Sequence, residues 1–278
     1  MSETVHEAKS IPEFLAHVSK FTDIWFQNEP TWGPWFRGEA NANWRLLPKL
    51  YRDPQPKREL QTLDDEFRQE FIVRAPNLSP ERPENSWEWY FLMQHSGAPT
   101  RLLDWTESAL IALYFAVRNR PALEKQRNDA AVYILEPWKL NEYVVGVKEV
   151  IAPGAQSGLS DEDGRRYAAW LPDRYVSPAG IGKQLPAAIY PTHFHRRIGS
   201  QRSCFTIHGS SRDGFDELPI QARPYLQKIV IPHSKTREIE SRLAVAGIDE
   251  LTIFPDLDGL GRWLAMILRD ESGESNED

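Results

Sequence analysis

The stretch from Gln94 to Val117, QHSGAPTRLLDWTESALIALYFAV, constrains the fold more than any other. Ser96-Gly97-Ala98-Pro99 reads as a turn, since glycine frees φ and proline fixes it. Thr100 to Trp105 is too short for a helix and is bounded by turn residues, so a strand is expected there. Asp104 or Thr106 then stands where an N-cap is needed, ahead of Leu110, Leu113, Tyr114 and Val117 at helical spacing. Arg101, Asp104 and Thr106 are polar groups in the most apolar surroundings of the chain, and buried polar groups need partners. Two readings are open. One is a structural strand-to-helix corner with an internal Arg101–Asp104 pair. The other is a ligand site at the C-terminal end of the strand.

The rest of the sequence narrows the class. A chain of 278 residues can bury a large core, and 41% hydrophobic with 26% charged residues fits a soluble globular protein. A net charge of −7 argues against a general nucleic-acid binder while leaving room for a local basic patch. The single cysteine, Cys204, excludes an internal disulfide and leaves no thiolate cluster for zinc. It points to a reducing compartment, so the cytoplasm is expected. Cys204 lies inside a strand-like run and reads as core filler. MSETVHEAKS has no apolar centre, and no run approaches the roughly 18 apolar residues of a membrane span, so no leader and no membrane partner are expected.

Ser10 three residues before Glu13 predicts a capped helix whose apolar face runs from Ile11 to Trp25. Further helices are predicted over 58–74, with Leu60, Leu63, Phe67 and Phe71 inward, and over Ser86–His95, capped by Asn85. Strands are predicted at Trp35–Gly38, Ala131–Leu135, Leu185–Tyr190, Ser203–His208, Lys228–Ile231 and Leu251–Phe254. A helix capped by Ser160 is predicted to end at Trp170. Another is predicted from Ser234 to Ala246, and a last one comes after Asp256 or Asp258. The domain expectation is an N-terminal helix over 1–28, one domain over 29–270 with a variable insertion near 138–186, and a disordered acidic tail over 271–278.

Candidate site residues emerge from this order. Arg37 is a guanidinium among aromatics, suited to a carboxylate or a phosphate, and Gly38 beside it admits a backbone or a ligand. The competing reading stacks Arg37 on Trp35 or Trp44, or pairs it with Glu39. Arg45, Lys49 and Arg52 lie among Trp44 and Tyr51, as in a nucleotide-holding surface or a solvated loop rim. His193 and His195 form an H-x-H pair, but a site needs three or four ligands, so no metal is expected. Gln201 offers a neutral amide able to orient a ribose or a base. No glycine-rich phosphate loop and no nucleophile elbow occurs.

Three segments, WFRGEA, HSGAPTRLLDWTESALIALYFAV and RIGSQRSCFTIHG, together resemble the FRG-domain family. Phe36-Arg37-Gly38 is similar to the motif that names it. His95, Gly97, Pro99 and Thr100 to Thr106 match its second block, with Ser96 for the usual Tyr and Ala109 for the usual Pro. Arg197, Ile198, Gln201 and Phe205 match its third, with Ser203 for Gly. The resemblance covers roughly residues 30 to 260 and points to bacterial and phage proteins. The order of these blocks is also distantly similar to the Arg–Ser–Glu layout of ADP-ribosyltransferases. In that layout an Arg holds NAD, a Ser or Thr braces the site, and a Glu stabilises the oxocarbenium transition state. Carried over, Arg37, Thr106 and Gln201 take those places. Gln201 lacks the charge of the Glu, so Glu39 or Asp104 would supply it.

The resulting expectation is an α+β fold with a mixed or antiparallel central sheet surrounded by helices, similar to ADP-ribosyltransferases. Arg37, Asp104, Thr106 and Gln201 are expected to act in catalysis. Phe36, Gly38, Glu39 and Trp44 are expected to contact the ligand, as are His95, Thr100, Arg101, Trp105 and His208. The expected ligand is NAD or another nucleotide. A macromolecular target is implied if the protein is an NAD-using toxin or phage-defence effector. The alternative is a non-catalytic nucleotide-sensing, nucleic-acid-sensing or protein-interaction module.

Overall fold

The computed structural model describes residues 6–26, 33–52, 58, 60–118, 127–153, 170, 185–191, 196–209, 213–218 and 221–271. The helix expected after Ser160, the His193/His195 pair, most of the 138–186 segment and the tail after Glu271 lie outside them.

Local signals account for most of the elements. Strand β1 (His6–Glu7) precedes helix α1 (Ile11–Trp25), where the Ser10 hydroxyl accepts from the Glu13 N–H. After β2 (Trp35–Glu39) come α2 (Leu60–Arg74) and α3 (Ser86–His95), the latter capped by the Asn85 side chain. Gly97 ends α3 at φ +79°, a conformation that needs no Cβ. Strand β3 (Leu102–Thr106) then turns into α4 (Ala109–Val117). Next come β4 (Ala130–Leu135), α5 (Pro137–Val144), β5 (Ala187–Ile189), α6 (Arg196–Gln201) and β6 (Ser203–Ile207). The chain closes with β7 (Leu226–Ile231), α7 (His233–Val245), α8 (Glu250–Ile253) and α9 (Leu257–Glu271).

The seven strands form one mixed sheet in the order β1-β7-β4-β2-β3-β6-β5. Among the described strands β1 and β7 run parallel and the other neighbouring pairs are antiparallel. The fold is therefore α+β with helices packed about a mixed central sheet. One core layer joins Phe14 and Phe21 of α1, Leu113 and Val117 of α4, and Ile239 and Leu243 of α7 to β2, β4 and β7. A second layer gathers Trp35, Leu103, Trp105, Leu135 and Cys204.

Helix α4 and strand β2 meet backbone to backbone. A Cβ on Gly38 would stand 2.0 Å from the Ala112 carbonyl oxygen and 2.5 Å from the Ala116 nitrogen. Gly38 is thus required by the helix, and Ala112 and Ala116, four residues apart, supply the small face that lets it approach.

Several expectations are corrected. The strand begins at Leu102, not Thr100, and α4 is capped by Ser108, whose hydroxyl accepts from Ile111 N–H, rather than by Asp104 or Thr106. Leu251–Phe254 is not a strand: Asp249 and Thr252 form a reciprocal capping box that nucleates α8 there. Helix α7 starts at His233, so Ser234 lies inside it. Phe67 is 37% exposed rather than inward. On the same helix, Asp64 is buried instead.

Candidate functional site

The sheet is incomplete where the candidate residues meet. Strands β2 and β3 share one pairing, Phe36 with Thr106. Thr106 in turn pairs with Ser203 of β6, so Phe36, Thr106 and Ser203 stand in a row across three neighbouring strands. Beyond that row β2 and β3 part, and a cleft of about 390 Å³ opens over the gap. Its walls include Arg37, Gly38 and Glu39 of β2, Trp44, Lys49 and Arg52 from the segment after it, Gln94 and His95 at the end of α3, and Asp104 to Thr106 of β3. Phe115, Gln201, Ser203 and Phe254 close the opposite side.

Arg37 spans the gap. Its Nη1 donates to the Asp104 carbonyl at 2.6 Å, satisfying a backbone acceptor where the ladder is interrupted. Its Nε and Nη2 both reach Glu39 Oε1 at 2.8 Å. Glu39 is buried, so this pair is fixed, and Arg37 keeps only its outer N–H groups for a ligand.

Asp104 faces the open cleft. Its side chain is 58% exposed, with Oδ2 3.9 Å from Arg37 Nη1. A chain of hydrogen bonds orients it. The Thr100 hydroxyl accepts from Leu102 N–H at 3.1 Å and donates to the Gln94 carbonyl oxygen. The Gln94 carbonyl is thereby used, and its Nε2 donates to Asp104 Oδ2 at 2.9 Å. At the far wall the Thr106 hydroxyl donates to the Gln201 carbonyl at 2.6 Å and accepts from Ser108 N–H at 3.1 Å. The Gln201 amide donates to the Ile253 carbonyl at 3.4 Å. Thr106 therefore braces the junction of β3, α4 and α6.

The expected Arg101–Asp104 pair does not form. Arg101 is buried behind the cleft, and its Nε donates to Asp64 Oδ2 at 2.6 Å. Its Nη1 and Nη2 donate to the carbonyls of His208 and Trp170 at 2.8 and 2.6 Å. Tyr90 completes the cluster, accepting from Arg101 N–H at 2.8 Å and donating to Asp64 Oδ1 at 2.7 Å. The cluster ties α2, α3 and the chain after β6 to the start of β3. Arg101 stands one residue ahead of β3 and is drawn to Asp64 of α2, while Asp104 lies within the strand and faces the cleft.

Thr100 and His208 are likewise buried and off the cleft wall. Burial, and after it the Arg101 and Arg37 charges, pushes His208 down to about 3, so its ring is neutral. Among the described residues neither ring nitrogen has a hydrogen-bond partner, and the ring packs edge-on to Tyr51 and Phe215. Trp35 and Trp105 do not offer ring faces. Both are buried, and Trp105 Nε1 donates to Thr206 Oγ1 at 3.0 Å. The aromatic surface of the cleft comes instead from Trp44, Phe115 and Phe254. Phe254 is flanked by Arg118 and Arg262, at 5.0 and 4.7 Å from its ring centre. Both guanidiniums also pair with the buried Glu250, which accepts from the Tyr114 hydroxyl at 2.6 Å.

Sequence reasoning missed Phe115, Phe254 and Asp64. Asp64 carried a signal, since it stands four residues after Leu60 on the apolar stripe of α2, where an acid needs a buried partner. Phe254 carried none, because its segment reads as a strand.

Among the described residues, no group of three or more His, Cys, Asp or Glu could hold a metal ion, and no helix is long and apolar enough to cross a membrane. A family model described as FRG domain matches residues 33–125, from the start of β2 past the end of α4. Comparison with curated proteins and with solved structures finds no match.

Proposed function

The chain carries an FRG domain, and we propose that the cleft at its split sheet binds a nucleotide, with NAD as the ligand and ADP-ribosyl transfer as the reaction class. One observation carries this reading. Arg37 of β2, Asp104 and Thr106 of β3, and Gln201 just ahead of β6 reach the same cleft, and these three strands are neighbours in the sheet. That is the order of the Arg–Ser–Glu layout to which the sequence is distantly similar. The volume of about 390 Å³ falls within the roughly 300–1,000 Å³ of small-molecule sites.

NAD bound there would supply ADP-ribose as the transferable group. Arg37 offers its outer N–H groups to the ribose or phosphate oxygens while Glu39 holds its fork in place. Of the two acids that could replace the charge absent from Gln201, Glu39 is committed to Arg37. Asp104 is oriented by Gln94 and faces the cleft, so its carboxylate would oppose positive charge developing at the ribosyl carbon. Phe115, Phe254 and Trp44 offer apolar surface for a ring. Transfer to a macromolecule would suit a toxin or a phage-defence effector.

Gln201 favours a second reading. An amide just ahead of β6, already donating to the Ile253 carbonyl, suits a module that binds a nucleotide without reacting it. One experiment separates the two. The protein is melted with and without NAD, and nicotinamide release is measured by mass spectrometry with and without cell extract. Transfer predicts a raised Tm and nicotinamide release that Asp104→Asn abolishes while the Tm shift stays. A Tm shift with no release supports the binding module, and no shift with NAD, ADP-ribose or AMP at millimolar concentration sinks both.

A further inference from the structure

We propose that Lys49 and Arg52 form the anion-binding end of the cleft and that the ligand presents a phosphate group to them. This deepens the nucleotide reading above and rests on it for the remainder of the ligand.

Charge balance is the starting point. Arg37, Lys49 and Arg52 line the cleft together with two carboxylates, Glu39 and Asp104. Both carboxylates stand round Arg37: Glu39 Oε1 at 2.8 Å and Asp104 Oδ2 at 3.9 Å. Arg37 is therefore the cation already matched. The partners of Lys49 and Arg52 among the described residues are backbone carbonyls, with Lys49 Nζ at 2.6 Å from Gly97 O and Arg52 Nε at 3.0 Å from Leu47 O. Of the acids after β6, Asp213 and Asp216 are each held by Arg45 at 2.6 Å. In a chain of net charge −7, two cations that form no ion pair among the described residues, in a cleft whose two carboxylates both stand round Arg37, form a local excess of positive charge.

The two cations are also mounted rigidly. They belong to the single 3₁₀ turn Lys49–Tyr51 and the residue after it. Leu50 and Tyr51 are buried beneath that turn, Leu50 N–H donates to the Thr100 carbonyl at 3.2 Å, and the Tyr51 hydroxyl donates to the Gly209 carbonyl at 2.7 Å. A fixed backbone lowers the ordering cost of placing an ammonium and a guanidinium on one anion. Lys provides a compact charge and Arg a planar fork, a pair that fits the several oxygens of a phosphate better than the two of a carboxylate.

Isothermal titration with ADP, adenosine and inorganic pyrophosphate tests the assignment. Lys49→Gln and Arg52→Gln change residues at the protein surface, and the Tm of each variant without ligand checks that the fold is kept. Each is expected to weaken ADP binding about tenfold and to leave adenosine binding unchanged. ADP affinity equal to wild type in both variants overturns the subsite while leaving the nucleotide reading standing. Pyrophosphate binding that depends on Lys49 and Arg52, with no binding of ADP or adenosine, upholds the subsite and overturns the nucleotide reading. Failure of wild type to bind either ADP or pyrophosphate overturns the subsite.

Discussion

Asp64 of α2 and Arg101, one residue ahead of β3, form an ion pair at 2.6 Å with side chains only 2% and 3% exposed. The pair takes the place of the contact that sequence proximity suggested between Arg101 and Asp104. It makes Arg101 a structural residue, satisfied on three sides by an acid and two carbonyls.

Removing one member of that pair leaves an uncompensated buried charge. Asp64→Asn or Arg101→Gln is expected to cost about 3–5 kcal/mol, read by urea unfolding. Asp104→Asn, on an exposed side chain, should stay within about 0.5 kcal/mol of wild type. The reverse ranking would contradict the placement of Arg101.

Gly38→Ala should destabilise by about 1–3 kcal/mol or more, since the added methyl overlaps the α4 backbone at Ala112 and Ala116. The measurement is Tm without ligand. A variant as stable as wild type that merely loses ligand binding would show that Gly38 serves the cleft and not the helix.

Gln94 acts on the cleft through Asp104. Gln94→Leu removes the donor to Asp104 Oδ2 and leaves the Thr100 hydroxyl without its acceptor. The loss should appear in ligand response more than in folding. We expect a ligand-free Tm lowered by an amount corresponding to about 1 kcal/mol, with the NAD-induced shift at least halved. Restoration by Gln94→Glu is not expected, because a second carboxylate would repel Asp104. An undiminished shift in Gln94→Leu removes Gln94 from the account.

Two buried groups set opposite pH dependences. His208 is held neutral down to about 3, so between pH 3 and its ordinary 6.5 the unfolded chain binds a proton that the folded one does not. Stability from this group rises with pH across that window and is fully present above it. Burial pushes Glu136 up to about 7, so between its ordinary 4.5 and 7 the folded chain keeps a proton that the unfolded one has lost. Its contribution falls as pH rises. In the overlap, from pH 4.5 to 6.5, the two slopes of about 1.4 kcal/mol per pH unit oppose each other. Relative to wild type, Glu136→Gln should make stability climb with pH there and His208→Gln should make it decline. A slope unchanged by either variant would rule out that group's burial as the cause.

Elements whose cause lies within a turn or two of chain were legible in the sequence. The Ser10 and Asn85 caps, the Gly97 stop, the alternating run of β6 and the short β4 and β7 runs closed by Pro137 and Pro232 are settled by neighbours within a few residues. The segment at Leu251 was misread because its apolar run suits a strand until the Asp249–Thr252 cap is weighed against it. The approach of β2, β3 and the start of β6 to one place was expected from motif order alone.

Tertiary structure decided which polar group met which. The partner of Arg101 lies 37 residues away in sequence, and it was selected by α2 packing beside β3. Gly38 looked equally suited to a ligand or a backbone until α4 was laid across it. Trp105 looked like a stacking face until alternation turned it into the core, and Asp104, one residue earlier, was turned out to the cleft by the same alternation. Side-chain chemistry is local and can be read along the chain, whereas burial and pairing depend on which distant surface arrives. The splitting of β2 from β3 belongs to the second kind: it results from the packing of whole elements, and it created the cleft.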